Sequence, residues 1–184
     1  FLLPDLPGFG LSEGLSEGFT IDTVAKRLKS WIDQIGVSSC SVVGHSLGGY
    51  VALSLAEHYP EWVNGIGLFH STSFEDSTEK RENRLKAASF IEKHGVKKFS
   101  ESLIPTFFYQ KKGLEDVIAF QTDEAALCDK KTVIGYTYAM RNRPDRRNVL
   151  YHFKEKILFI AGSQDKAVAP ADSWEQLRKL PNHS

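Results

Sequence analysis

Apolar residues along the chain form short continuous runs that alternate with helix-like segments. Continuous apolar runs are typical of strands buried on both faces, and they occur at 1–4 (FLLP), 40–43 (CSVV), 63–70 (VNGIGLFH) and 156–162 (KILFIAG). Helices are predicted at 21–35, where apolar residues recur three and four apart, and at 48–60 and 170–180. This alternation predicts an α/β fold with a parallel sheet.

The segment between the third and fourth predicted strands has a different pattern. Amphipathic helices are predicted there at 77–93, 96–103, 114–126 and 131–142. We therefore expect a helical insertion at 72–149 between two parts of one sheet-containing core, 1–71 and 150–184. The charged runs of the insertion, EKRENRLK and RNRPDRR, are typical of solvated helix faces.

The stretch SVVGHSLGGY, residues 41–50, places a serine between glycines where a predicted strand meets a predicted helix. The spacing Gly44-x-Ser46-x-Gly48 matches a nucleophile elbow, a strained turn that exposes the serine hydroxyl above the sheet. Side chains at the two flanking glycine positions are expected to clash with the neighbouring strand and helix. The helix begins at once, which makes the Leu47 N–H a candidate oxyanion donor. A glycine-rich turn with an incidental serine is the alternative.

Four stretches, taken together, resemble consecutive motifs of the α/β-hydrolase fold superfamily: PDLPGFGLS, VVGHSLGGYVALSLAEHYPEWV, GLFHS and ILFIAGSQD. Their order and spacing match, and the resemblance covers nearly the whole chain. It implies a parallel-sheet core and makes the helical insertion the cap, or lid. It implies no single activity, because esterases, lactonases, C–C bond hydrolases, haloperoxidase-like enzymes and some lyases share the pattern.

The resemblance implies a catalytic triad in the order serine, acid, histidine. Asp165 directly follows the strand-like run ILFIAG and is the expected acid, because ligands of open α/β folds bind at that edge of the sheet. There it would orient an imidazole and stabilise its cation. A solvated turn residue is the alternative role. Asp76 is a competing carboxylate farther from its strand, and Asp5 is interpreted as a structural loop residue.

None of the six histidines is a satisfactory base. His183 alone follows Asp165, but it comes only three residues after Leu180, before a further strand could carry the chain back to the active edge. The base is therefore expected beyond residue 184, and the first strands and a second oxyanion donor are expected before Phe1. On this hypothesis the chain is a fragment that is inactive alone.

Four further residues are candidates for substrate binding. His45 lies inside the elbow motif, with its side chain expected to point away from the hydroxyl, and His70 ends the third predicted strand. Tyr138 and Arg141 lie in the helical insertion, and Arg141 could meet an anionic group. Ordinary core packing or a surface salt bridge is the alternative for each.

The composition of the chain indicates which classes of partner and which cellular compartment to expect. Lys and Arg number 23, as do Asp and Glu, so the net charge of zero gives no overall attraction to nucleic acid or to an anionic membrane. No apolar run approaches the roughly 18 residues of a membrane span. Only two cysteines are present, which fits a reducing compartment, and a cytoplasmic location is expected. The sequence has no metal-ligand or cofactor motif, so no metal or cofactor is expected.

The sequence thus predicts a serine hydrolase acting on ester or related carbonyl bonds of a small molecule. Ser46 and Asp165 would belong to a triad whose histidine lies outside the chain. Two alternatives stay open: a C–C bond hydrolase or lyase of the same fold, and a non-catalytic binding protein of that fold. The oligomeric state is not predicted.

Overall fold

The structure is a computed structural model that describes residues 1–180. Its helices and strands are α1 (Ile21–Gln34), β1 (Cys40–His45), α2 (Leu47–His58), β2 (Val63–Phe69), α3 (Thr78–Leu103), a 3-10 helix (Ile104–Phe107), α4 (Glu115–Ala126), α5 (Lys130–Arg141), α6 (Arg147–His152), β3 (Lys156–Ile160) and α7 (Pro170–Leu177). None of the helices within these residues combines the length and apolar composition that a membrane span needs.

The chain divides into two compact units. A helical unit consists of Phe1–Thr20 and Asp76–Asn142, and a sheet unit consists of Ile21–Glu75 and the chain from Arg143 onward. All the regular secondary structure that is described between residues 76 and 142 is helical, as predicted. The predicted break between two helices is also confirmed, because Gly95, with φ 82 and ψ 166, interrupts α3. A capping role for this unit stays a prediction.

The sheet unit is built on three parallel strands in the order β1-β2-β3. The last residues of the strands are in register, because His45 lies opposite Phe69, and Phe69 lies opposite Ile160. The strands therefore end at one level, and the residues that follow them share one edge of the sheet. The α/β class and the parallel sheet are confirmed.

The prediction that every strand is buried on both faces is wrong for β1 and β3. Helix α2 packs against the face that carries Ile66 and Leu68, and these side chains are fully buried. On the opposite face Val43 and Leu158 are 64% and 53% exposed. The central strand stays buried because its neighbours shield it, as the Val43 side chain does over Gly67.

The strand predicted at residues 1–4 is also wrong. All four residues are exposed and have no regular secondary structure. A strand is stabilised by pairing its backbone with a neighbouring strand. The described sheet contains only β1, β2 and β3, so this apolar segment has no ladder to join within residues 1–180.

Residues 5–19 pack within the helical unit through aromatic side chains. The rings of Phe9 and Phe19 each lie 4.9 Å from the ring of Tyr136 on α5. The Tyr136 hydroxyl is buried and donates to the Pro7 carbonyl oxygen at 3.0 Å. Because the hydroxyl is desolvated, its pKa is raised above the ordinary value.

Asp5 stabilises the same loop, as predicted. Its carboxylate accepts the Leu11 N–H at 3.3 Å, and its carbonyl oxygen accepts the Ser12 hydroxyl at 2.8 Å. The turn passes through Gly10, where φ is 53 and a Cβ would collide with the Asp5 carboxylate. These contacts account for Asp5 as a structural residue.

A buried cation joins distant segments of the sheet unit. Arg146 is 2% exposed; its Nε donates to Glu57 of α2 at 2.9 Å, and its Nη2 binds Asp22 of α1. Its backbone N–H donates to the Ser73 carbonyl oxygen at 2.7 Å. Both carboxylates keep partial contact with solvent, which lowers the desolvation cost of the pairs.

Replacing Arg146 by alanine should destabilise the protein by about 2 kcal/mol, because two carboxylates lose their charged partner. The free energy of unfolding is measured by urea denaturation. The matched control is Lys179→Ala, which removes an exposed ion pair with Glu175 at 3.5 Å. That change should cost roughly 0–1 kcal/mol. Equal losses in the two variants would contradict the role given to Arg146.

Candidate active site

Ser46 occupies a strained turn between β1 and α2. Its backbone has φ 48 and ψ −113, so the predicted strain is confirmed. The Ser46 N–H donates to the Phe69 carbonyl oxygen at 2.9 Å and continues the pairing of β1 with β2 by one residue. The Ser71 hydroxyl donates to the Ser46 carbonyl oxygen at 2.8 Å. Both backbone groups of Ser46 are thus held, and the residue is exposed.

Two glycines permit the close approach of α2 to the end of β1 and to the residues that follow β2. A Cβ at Gly44 would lie 2.1 Å from the Gly48 carbonyl oxygen, and a Cβ at Gly49 would lie 2.5 Å from the Ser71 Cβ. At Gly48 itself, a Cβ would meet no atom within 4 Å among the residues that the structure describes. The predicted clash at Gly48 is therefore wrong, and the tight positions are 44 and 49.

Leu47 is the first residue of α2. The first N–H groups of a helix have no acceptor within the helix and lie at the positive end of its dipole. The Leu47 N–H is therefore a donor with no acceptor in its own helix, directly after the exposed Ser46 and at the end of the helix where an anion is stabilised. Its role as an oxyanion donor stays a prediction.

Asp165 follows β3, in a turn closed by its own N–H, which donates to the Gly162 carbonyl oxygen at 3.1 Å. One carboxylate oxygen, Oδ1, accepts the N–H groups of Ala167 at 2.8 Å and Val168 at 2.9 Å. The other, Oδ2, lies 2.8 Å from Nδ1 of His70. The carboxylate is therefore held from both sides at the edge of the sheet.

The surroundings of Asp165 favour its charged form. Burial by itself would raise the pKa of this carboxyl group, but the hydrogen bonds from Val168, His70 and Ala167 and the charge of His70 outweigh burial. The pKa of Asp165 is therefore lowered from its ordinary value. An ionised carboxylate is the form that could orient an imidazole and stabilise its cation.

His70 directly follows β2 and has a positive φ of 46. Its N–H donates to the Ile160 carbonyl oxygen at 2.8 Å, which ties it to the end of β3. The imidazole lies against Gly162, where a Cβ would come within 2.9 Å of its Cε1. Its contact with Asp165 was not predicted. The available signal was that both residues follow neighbouring parallel strands.

His45 ends β1 and is exposed. Its ring centroid lies 5.9 Å from that of His70 and 5.1 Å from that of Phe69. Burial of the ring lowers the pKa of His45, the charge of His70 lowers it further, and the charge of Asp165 partly opposes both. The structure thus brings three polar residues together at the ends of the strands: His45, His70 and Asp165.

The chain is similar to known proteins in both sequence and structure. A family model described as alpha/beta hydrolase fold matches residues 1–88, which include the turn at Ser46. The chain also aligns with a thermophilic esterase from Thermogutta terrifontis over 97% of its own length, with a TM-score of 0.87 and 26% identity. The chain has the α/β-hydrolase fold.

Two other proteins resemble the chain over different extents. The enol-lactonase from Burkholderia xenovorans shares its fold, with a TM-score of 0.87 and 21% identity over 96% of this chain and 67% of that one. A 2-hydroxy-6-oxononadienedioate/2-hydroxy-6-oxononatrienedioate hydrolase from Paraburkholderia phymatum is 37% identical over 68 residues, which are 36% of this chain. That match covers 24% of the Paraburkholderia protein, and the chain spans 66% of the Thermogutta esterase.

The remaining candidates for substrate binding, Tyr138 and Arg141, lie on α5 of the helical unit. Tyr138 is exposed, and Nη1 of Arg141 donates to the side-chain oxygen of Asn142 at 2.8 Å. The Arg141 Nε is buried and has no hydrogen-bond partner among residues 1–180. Substrate binding by these two side chains stays a prediction.

The other carboxylate and histidine candidates for the triad either make structural contacts or lie outside the described residues. Asp76 is buried in the helical unit and accepts Nε of Arg84 at 2.7 Å, an ion pair that accounts for its burial. Nδ1 of His58 and of His152 bonds a backbone carbonyl oxygen within their own helices. His183 lies outside the described residues.

One cluster of side chains has the composition of a metal site. The ligand atoms of Asp22, Glu57 and His58 lie within 4.8 Å of one another. Both carboxylates, however, bind the buried guanidinium of Arg146. Because both carboxylates already pair with the same guanidinium, we assign the cluster to the ion-pair network of the sheet unit.

Replacing Gly44 by alanine should destabilise the protein by at least about 2 kcal/mol, because the new methyl group would overlap backbone atoms of α2. The control is Gly48→Ala, which adds the same methyl group where it meets open space. That variant should be as stable as the wild type or slightly more stable, since alanine favours helix. Thermal and urea unfolding measure both, and equal stability of the two variants would contradict the close approach at Gly44.

The ionised Asp165 should make folding depend on pH. Its pKa is lower in the folded state than in the unfolded state, so its contribution is complete above the ordinary Asp value of about 3.9. The contribution is lost as the pH falls through the lower folded value. The stability difference between wild type and Asp165→Asn should therefore shrink from about pH 6 to about pH 3. Asp33→Asn, at an exposed carboxylate on α1, is the control, and a constant difference for Asp165 would contradict this.

Proposed function

We propose that the protein is a serine hydrolase that cleaves an ester or a related carbonyl bond of a small molecule. The backbone of Ser46, with φ 48 and ψ −113 at the junction of β1 and α2, is the observation that carries the proposal. A residue other than glycine keeps such a conformation only where its surroundings enforce it, and such residues cluster at functional sites. Ser46 is also exposed, so a ligand can approach its hydroxyl.

In the proposed reaction, Oγ of Ser46 attacks the carbonyl carbon of the substrate while a histidine base accepts the hydroxyl proton. The Leu47 N–H stabilises the negative charge that develops on the carbonyl oxygen. The base then passes its proton to the leaving group, and the acyl group stays on Ser46 until water hydrolyses it. Asp165 orients the imidazole of this base and stabilises its cation.

We propose Tyr138 and Arg141 of the helical unit as substrate-binding residues. Tyr138 offers an exposed aromatic ring, and Arg141 has a buried Nε without a hydrogen-bond partner within the described chain. The guanidinium of Arg141 is cationic, so an anionic group is the partner that suits it. This supports a ligand with an acidic or strongly polar group.

Names of relatives support the general reaction. The Thermogutta relative is an esterase at 26% identity, and the Paraburkholderia relative is named as a hydrolase of an oxo-dicarboxylate compound. The second name makes cleavage of a carbon–carbon bond the alternative activity of the same site. Both reactions would use Ser46 beside an oxyanion donor, so the substrate decides between them.

The decisive test is covalent labelling of Ser46 in the full-length protein with a fluorophosphonate probe. The wild type should be labelled at Ser46, and Ser46→Ala should lose both the label and hydrolysis, by roughly 1,000-fold or more. The matched control is Ser41→Ala, on the same strand, where the hydroxyl donates to the Asn64 side chain at 2.8 Å. This control should be labelled like the wild type.

Absence of labelling at Ser46, or unchanged hydrolysis in Ser46→Ala, would refute the proposed function and favour a non-catalytic binding protein. A substrate panel then separates the two reactions. Turnover of p-nitrophenyl esters of graded acyl length supports an esterase, whereas turnover of vinylogous diketones alone supports a C–C bond hydrolase.

A further inference from the structure

The contact between His70 and Asp165 is the feature of the sheet unit that the proposed reaction has not used. The two side chains meet at 2.8 Å although they lie 95 residues apart along the chain. The Asp165 side chain is only 11% exposed, and that of His70 is 34% exposed. A charge-assisted hydrogen bond of this length in a partly buried place is stronger than one in water.

The local backbone is adapted to this contact. His70 has a positive φ, a conformation that costs a non-glycine residue energy and therefore needs support from its surroundings. The bond from its N–H to Ile160 supplies that support. On the other side, Gly162 leaves room for the imidazole, because a Cβ there would come within 2.9 Å of it.

The contact also determines how much of the Asp165 carboxylate is left for another partner. A carboxylate has about four acceptor positions, two on each oxygen. The N–H groups of Ala167 and Val168 bond Oδ1, and His70 bonds Oδ2. With these three bonds made, the position that is left for a further imidazole lies on Oδ2.

We propose that His70 is a positioning residue, whose Nδ1–H fixes the Asp165 carboxylate so that Oδ2 presents one defined acceptor position to the triad base. The proposal rests on the proposed function, since it gives His70 a part in presenting the acid to the base. It differs from a purely structural ion pair, because it requires a hydrogen-bond donor at the place of Nδ1 and acts on the chemical step.

Three replacements of His70 separate these roles. Asparagine places its amide N–H close to the position of Nδ1, glutamine places its amide close to the position of Nε2, and alanine removes both. The control is His152→Asn, because Nδ1 of His152 also bonds an oxygen at 2.8 Å, the carbonyl of Asn148, on the exposed helix α6. Steady-state kinetics with the ester that the wild type turns over best, and urea unfolding, are measured for each variant of the full-length protein.

His70→Ala should lower kcat by about 10- to 100-fold with KM unchanged, the loss typical of a misplaced catalytic group. His70→Asn should recover most of that loss, His70→Gln should not, and His152→Asn should match the wild type. A wild-type kcat in His70→Ala would overturn the proposal. Loss of activity in both the asparagine and the glutamine variant to the same degree, with stability unchanged, would also overturn it and make His70 itself the base.

Fluorophosphonate labelling distinguishes this failure from failure of the proposed function. If the wild type lacks labelling at Ser46, the proposed function fails and the positioning role falls with it. If labelling is normal and His70→Ala keeps its kcat, only the positioning role fails. Nitrogen-15 NMR of the imidazoles tests the contact directly. The His70 signals should show a proton on Nδ1 and shift in Asp165→Asn, while those of His152 stay unchanged; a His70 ring protonated at Nε2 alone would overturn the proposal.

Discussion

The close approach of α2 to the end of β1 is the constraint on which the rest of the site depends. The backbone of Gly48 occupies the space that a side chain at Gly44 would need. The chain therefore has a single residue, Ser46, in which to reverse from strand to helix, and its φ becomes positive. Strain at this residue is sustained by bonds from both of its backbone groups, one to β2 and one to Ser71.

The parallel strands then determine which other residues meet the serine's edge of the sheet. Because β1, β2 and β3 end in register, the residues that follow each strand are neighbours in space although the sequence separates them widely. His70 follows the central strand, and Asp165 follows the strand beyond it. An acid placed there is desolvated on one side, so it needs the two N–H groups and the imidazole that hold it ionised.

Much of this arrangement could be predicted from sequence, because strong local patterns carry it. The glycines around Ser46, the apolar runs of β2 and β3, and the helix break near Gly95 are signals contained within a few residues. Asp165 follows an apolar run in the sequence, and the structure puts it at the expected edge of the sheet.

What could not be predicted depends on tertiary partners. The apolar run at 1–4 has the composition of a strand, but a strand forms only where a ladder accepts it. Val43 and Leu158 are exposed because α2 covers the other face of the sheet. The residue pattern of β1 does not indicate which face a helix will cover. Likewise, the motif does not show which of Gly48 and Gly49 must lack a side chain. The position of Ser71 shows that it is Gly49, where a Cβ would collide with the Ser71 side chain.

The long sequence separation of the residues that Arg146 joins has a consequence for how the chain folds. Its partner Asp22 lies 124 residues earlier, and the sheet unit is interrupted in sequence by the helical unit. β3 therefore cannot join β2 until the long intervening segment has been closed into a loop, at a cost in chain entropy that local contacts do not offset. We expect the helices between 78 and 141 to form early and the sheet to be completed late, with β2 exposing an unpaired edge in the interval. We therefore expect chains to associate during refolding mainly before β3 pairs with β2.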